Sequence, residues 1–234
     1  MNGRNILVIG GTHGISNELL SILDAEGANI ISAARSNSNL EQFENVKYIS
    51  FDVLEDELQT EDLPDKIDGV FYAPGSINLK PFHRLKEKDF EADLKVNYLG
   101  AVKVLQTVFP LLKKSECASV VLVSTVAVNQ GMPFHSSIAG AKGAVEGLVK
   151  SLAAEWAPKI RVNAVAPALV NTRLAERLLS TDDKKEASNK RHPLNRYGEP
   201  EDVAHAVHYL LSDKSSWMTG QVLGIDGGLS SLKV

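Results

Sequence analysis

The chain has 234 residues, 44% of them hydrophobic and 23% charged, a balance that supplies a globular core and excludes a disordered chain. Lys and Arg total 25 against 29 Asp and Glu, a formal charge of −4 that exerts no bulk pull on nucleic acid or anionic lipid, so neither a nucleic-acid nor a membrane partner is expected. Cys117 is the single cysteine, which excludes an intrachain disulfide and a cysteine-based zinc site, suits a reducing cytoplasm and leaves no metal centre to expect.

Taken in chain order, Asn5-Ile6-Leu7-Val8-Ile9 is an apolar run far shorter than a membrane span and without a signal-peptide flank, and it reads as a buried strand. It runs into Gly10-Gly11-Thr12-His13-Gly14-Ile15-Ser16, which opens a helix over 15–26. A glycine-rich turn between strand and helix is the setting of a dinucleotide cradle. Gly10 permits the tight turn, Gly14 lets backbone approach a pyrophosphate, and the unpaired N–H groups of the first helical turn face its negative charge. A plain strand-to-helix connection has the same composition, so the loop alone leaves both readings open.

Further β-branched runs predict strands over 30–33, 46–51, 70–73, 120–123 and 160–165, with helices over 87–112, 138–156 and 200–212. Pro110 is expected to end or kink the second helix. Near-continuous apolar strands alternating with helices predict an α/β fold, a single-domain doubly wound parallel sheet of the Rossmann type with helices on both faces. The charged stretch 172–193 reads either as a mobile surface helix, closing as a substrate lid, or as a solvated helical face.

With these motifs in place the chain resembles the short-chain dehydrogenase/reductase family along nearly its whole length. Gly10 and Gly14 match the family's glycine motif, with Ile9 at its threonine and Ser16 at its last glycine. Asp52-Val53, Tyr72-Ala73-Pro74-Gly75, Asn97-Tyr98-Leu99-Gly100, Asn163-Ala164-Val165-Ala166-Pro167, Thr219-Gly220-Gln221 and Asp226-Gly227-Gly228 follow in the family's order, although only Gly75 of the second group is kept. The resemblance implies a nicotinamide cofactor held by Gly10, Thr12, His13, Gly14 and Ile15 at the phosphates, Asp52 and Val53 at the adenine, Ala73, Pro74, Gly75, Asn97 and Lys142 in the middle, and Pro167, Val170 and Thr172 beside the carboxamide. It also implies a homodimer or homotetramer built through the helices holding Asn97 and Lys142.

An NAD-specific relative would end its second strand in Asp, whose carboxylate accepts from the ribose hydroxyls and repels a 2′-phosphate. Here that place is Ala34, followed by Arg35 and Ser36. A guanidinium beside a hydroxyl suits a phosphate through charge-assisted hydrogen bonds, and NADP(H) is favoured over NAD(H).

At the chemical site the resemblance implies an asparagine, a serine, a tyrosine and a lysine. Asn97 and Lys142 match, and Thr125 stands at the serine with its hydroxyl kept. The tyrosine, four residues before Lys142, falls on Ile138, which has no proton to give. His135, on the loop entering the same helix, is the candidate proton donor or substrate contact, because imidazole titrates near neutral pH. Tyr72 is a further candidate, as a phenol at the end of a strand facing the cofactor. The expected function is an NADP(H)-dependent oxidoreductase interconverting a small-molecule alcohol and carbonyl with a non-standard proton donor. The alternatives are a catalytically reduced NADP(H)-binding regulatory or assembly protein, and non-redox chemistry with the cofactor kept as structure. Met132, Pro133, Phe134, Leu174 and Leu178 are candidates for an apolar substrate wall.

Overall fold

The computed structural model describes residues 1–233. Seven parallel strands form one sheet in the order β3-β2-β1-β4-β5-β6-β7, from β1 (Asn5–Ile9), β2 (Asn29–Ala34), β3 (Val46–Ser50), β4 (Gly69–Tyr72), β5 (Ala118–Val123), β6 (Ile160–Pro167) and β7 (Val222–Ile225). The helices are α1 (Ile15–Ala25), α2 (Glu87–Leu94), α3 (Gly100–Leu112), α4 (Ser136–Trp156), α5 (Asp182–Arg191) and α6 (Pro200–Leu211). The α/β doubly wound architecture read from the sequence is thus the one the chain adopts. Residues 222–225 add a strand that the sequence reading treated only as part of a motif.

The period-2 alternation of strand side chains divides the core into two layers. Leu7, Ile9, Val70, Tyr72, Val120, Leu122, Val162 and Ala164 face the side covered by α3 and α4, where Val104, Leu105, Val108, Val145 and Val149 meet them. Ile6, Val8, Phe71, Val121 and Val165 face the opposite side, against Leu19, Leu20 and Leu23 of α1 and Val203, Val207, Leu210 and Leu211 of α6. Both faces of the central strands are therefore apolar, as parallel strands sandwiched by helices require.

Two expectations about the second helix are corrected. Residues 87–112 do not form one α-helix, because a π-helical turn, Lys95–Leu99, separates α2 from α3 and sends the Gly100 N–H to the Lys95 carbonyl. Of the two outcomes expected at Pro110, an end to the helix is the one overturned, since α3 continues to Leu112. The proline deprives the carbonyl of Gln106 of its helical donor, but both residues lie on the exposed side of α3.

The order of strands reverses between β1 and β4, which leave in opposite directions across the sheet. A crevice opens outside the carboxyl ends of strands at such a switch point. The turns after β1 and β4 meet there, since a Cβ on Gly10 would stand 3.2 Å from the Pro74 ring.

Candidate active site

The turn after β1 is shaped for close backbone approach. Gly10 and Gly14 hold φ of 78° and 56°, left-handed values that cost an ordinary residue about 1–2 kcal/mol. Gly14 is the N-cap of α1 and brings no side chain to the helix's free N–H groups, so an anion can take them. Thr172 closes over this turn, with its Cγ2 3.1 Å from where a Gly14 Cβ would be. Ser16, at the family's last glycine, is buried at 2% exposure, so the larger residue is accommodated within the helix packing.

The loop after β2 lies beside this cradle. Asn39 donates through Nδ2 to the Thr12 carbonyl at 3.3 Å, tying the two loops together, and the Thr12 hydroxyl lies 2.9 Å from His13 Nδ1. Ser36 and Ser38 share a hydrogen bond of 2.8 Å, while Arg35 and His13 project into solvent. Further along, Asp52 Oδ1 accepts from the Leu54 N–H at 3.0 Å, which leaves its other oxygen for a ligand. Val53 packs into the core beside Tyr72, so its side chain is not open to a ligand.

The chemical end lies beyond β4 and β5. Lys142 on α4 is 6% exposed and donates to the Val123 carbonyl at 2.7 Å. Asn97, in the π-turn, donates through Nδ2 to the Asp93 carbonyl at 2.8 Å and to the Ser76 hydroxyl at 2.9 Å, and its Oδ1 is buried with no partner. Both side chains converge on Gly75, where an added Cβ would be 3.0 Å from Asn97 Oδ1 and 3.5 Å from Lys142 Nζ. Burial pushes the Lys142 ammonium down to about 7, and the Asp93 carboxylate pulls the other way.

Thr125 follows β5, accepts from the Ala127 N–H at 3.4 Å and is half-buried, leaving its hydroxyl proton free to point at a ligand. Ile138 is 5% exposed and lies one helical turn before Lys142 on the same face, yet it belongs to neither of the two core clusters. His135 caps the start of α4, half-buried, with Nδ1 2.8 Å from the Pro133 carbonyl. A neutral ring must place its proton on Nδ1 to make that bond, so it offers Nε2 as an acceptor. Only the imidazolium can donate from Nε2. Pro167 ends β6, Val170 is buried, and the Val170 carbonyl accepts from the Thr172 hydroxyl at 3.4 Å.

Tyr72 is corrected. Its hydroxyl donates to the Val96 carbonyl at 2.6 Å inside the core, and burial raises its pKa far above the ordinary phenol value, so it neither faces the crevice nor gives up its proton. Two residues absent from the sequence reading enter instead. Ser76 donates to Asp93 Oδ1 at 2.5 Å, and Asp93 is 2% exposed with Oδ2 unpartnered. Residues 87–94 are rich in charge, and nothing in their pattern separates a buried aspartate from the solvated ones around it.

Residues 10–230 match the family model described as enoyl-(acyl carrier protein) reductase. The chain is 34% identical to a 3-oxoacyl-[acyl-carrier-protein] reductase of Thermotoga maritima, with 98% of each covered. It is 33% identical to a chloroplastic tropinone reductase homolog of Arabidopsis thaliana over 98% of this chain and 76% of that protein. Among solved structures, a gluconate 5-dehydrogenase of Burkholderia cenocepacia in complex with NADP and tartrate superposes with a TM-score of 0.90 at 28% identity, covering 100% of this chain and 97% of that one. A short chain dehydrogenase family protein of Francisella tularensis superposes with a TM-score of 0.88 at 27% identity, covering 98% and 100%. With the glycine turn at the switch point, the lysine and asparagine at Gly75, and likeness over almost every residue, the chain belongs to the short-chain dehydrogenase/reductase family of oxidoreductases.

Proposed function

We propose that the protein is an NADP(H)-dependent oxidoreductase that interconverts a small-molecule alcohol and carbonyl. The observation that carries this reading is the convergence of Lys142 Nζ and the unpartnered Asn97 Oδ1 on Gly75, in the same crevice as the uncapped N-terminus of α1. A nicotinamide dinucleotide fits these residues: its pyrophosphate on Gly10, Thr12, Gly14 and Ile15, its adenosine between Arg35, Ser36 and Asp52–Val53, its ribose hydroxyls toward Lys142, and its carboxamide toward Pro167, Val170 and Thr172. When bound, it supplies or takes up the hydride at the substrate carbon.

The protein's own groups do the rest. The Thr125 hydroxyl donates to the substrate oxygen, Asn97 and Lys142 fix the polar end of the site, and His135 meets the substrate from the mouth or gives it a proton. Residues 172–193 form the cover, with Thr172 already seated on the phosphate turn. The exposed Phe82, Phe134 and Leu174 supply an apolar rim. A homodimer or homotetramer assembles through α3 and α4.

The choice of NADP(H) rests on Arg35 and is tested by calorimetry with both cofactors. Arg35→Ala should weaken NADPH binding by about 10-fold or more, the worth of a charge-assisted phosphate contact, while changing NADH binding little. Equal losses for both cofactors would remove Arg35 as the phosphate ligand. The second reading, a nucleotide-holding regulatory or assembly protein, is favoured by the apolar Ile138 beside Lys142 and separates from the first by turnover.

A further inference from the structure

Ile138, one helical turn before Lys142, brings no proton to the polar end of the site, and the lysine that stands there has an unusual neighbour. Lys142 is buried beside Gly75. Asp93, from α2, lies under the same spot, 2% exposed, with Oδ1 taken by the Ser76 hydroxyl at 2.5 Å and Oδ2 free of any partner. A buried carboxylate oxygen without a donor is costly unless a positive charge is near. Lys142 is the charge that Asp93 acts on.

The remaining groups around Lys142 are accounted for. Val123 offers a carbonyl. Asn97 and Ser76 are neutral and bonded to each other. Glu146, one turn further along α4, accepts from the Ser124 hydroxyl at 2.6 Å. Asp89 is paired with Lys80 at 2.6 Å. Among these described groups, Asp93 is therefore the carboxylate with a fully buried oxygen left without a partner.

Building on the oxidoreductase reading, we propose that Lys142 itself carries the proton to and from the substrate oxygen, with Asp93 as the positioning residue that keeps its ammonium charged. In reduction, hydride adds to the carbonyl carbon, the C=O π pair moves onto oxygen, and a Lys142 N–H proton passes to that oxygen. The lysine is left as the neutral amine and recovers its proton from solvent. Oxidation runs the same transfers in reverse, the amine taking the hydroxyl proton. Ile138 contributes by keeping water away, which holds Lys142 near the balance point where an acid works best at neutral pH.

The test needs no substrate at first. In [15N]lysine-labelled protein without cofactor, the Lys142 Nζ signal, assigned with Lys142→Arg, is followed across pH. The expected midpoint is about 7. Asp93→Asn, which keeps the shape and the Ser76 bond, should lower it by about one unit or more, and Asp93→Glu should restore it. A midpoint at the ordinary lysine value, or one indifferent to Asp93→Asn in a folded protein, overturns the proposal. With a turned-over carbonyl and NADPH, kcat/KM should fall as pH rises through the same midpoint, and the fall should begin at lower pH in Asp93→Asn. A pH limb that vanishes in His135→Ala and ignores Asp93→Asn assigns the proton to His135. That outcome overturns the proposal and leaves the reductase reading standing. A wild-type chain that titrates as expected but turns over no carbonyl or alcohol overturns the reductase reading and the proton transfer with it.

Discussion

Lys142 is costly to the fold, and the cost depends on pH. Its charged form is disfavoured in the native protein, where its pKa is about 7, and not in the unfolded chain, where it is near 10.5. Below about 7 it is charged in both states and the full penalty applies. Between the two values the unfolded state binds the extra proton, so stability rises with pH, by at most about 1.4 kcal/mol per pH unit from this one group. Denaturant unfolding measured from pH 7 to 9 should show that slope in the wild type and lose it in Lys142→Met. An unchanged slope would mean that Lys142 is solvated. Residue by residue, the sequence made Lys142, Asn97 and Thr125 legible because their spacing follows a known pattern. It left Asp93 and Ser76 hidden, because burial under a turn has no local signature. Tyr72 was misplaced for a related reason: a phenol at a strand end points outward unless something inside the core accepts its proton.

At the scale of elements that acceptor is the π-turn. Lengthening the hydrogen-bonding step to Gly100 N–H···Lys95 leaves the Val96 carbonyl to the Tyr72 hydroxyl, and the same turn brings Asn97 beneath Gly75. The packing is close: a Cβ on Gly100 would collide with the Tyr72 hydroxyl and with Val53. Tyr72→Phe removes the donor and leaves a buried carbonyl unpaired, so it should cost about 1–3 kcal/mol and lower Tm by about 2–12 °C. It should also loosen Asn97 and so weaken cofactor binding. A Tyr72→Phe protein with unchanged Tm would show that the π-turn is held by other contacts. The sequence could not show this turn, since the apolar period of residues 87–112 is that of one helix and an inserted residue shifts it only slightly. Strands such as β1 and β5 were plain because their apolar runs are continuous and β-branched. β7, four residues interrupted by Gly224, has too little of either property to declare itself.

For the whole molecule, the doubly wound order brings together, at the carboxyl edge of the sheet, the turn after β1, the turn after β4 and the Asn97 and Lys142 side chains, which are far apart along the chain. Leu94 and Leu99, beside the π-turn, stay 37% and 44% exposed in the single chain, and Phe109 stacks on Trp156 at 4.9 Å between α3 and α4. Light scattering on the purified protein should therefore give the mass of a dimer or tetramer. A monomer would contradict assembly through these helices. Replacing Leu94 and Leu99 together by Lys should lower the mass without unfolding the chain, because neither side chain belongs to the described core clusters.

The most direct test of the central claim is the change in NADPH absorbance when the purified protein is given a panel of carbonyl compounds, with NADP+ and a panel of alcohols as the reverse. The account predicts cofactor consumption that requires both protein and substrate, is faster with NADPH than with NADH, and is lost in Lys142→Met. NADPH that binds tightly and is never consumed across both panels would contradict it, and would make Ile138 the mark of a protein that holds the nucleotide for another purpose.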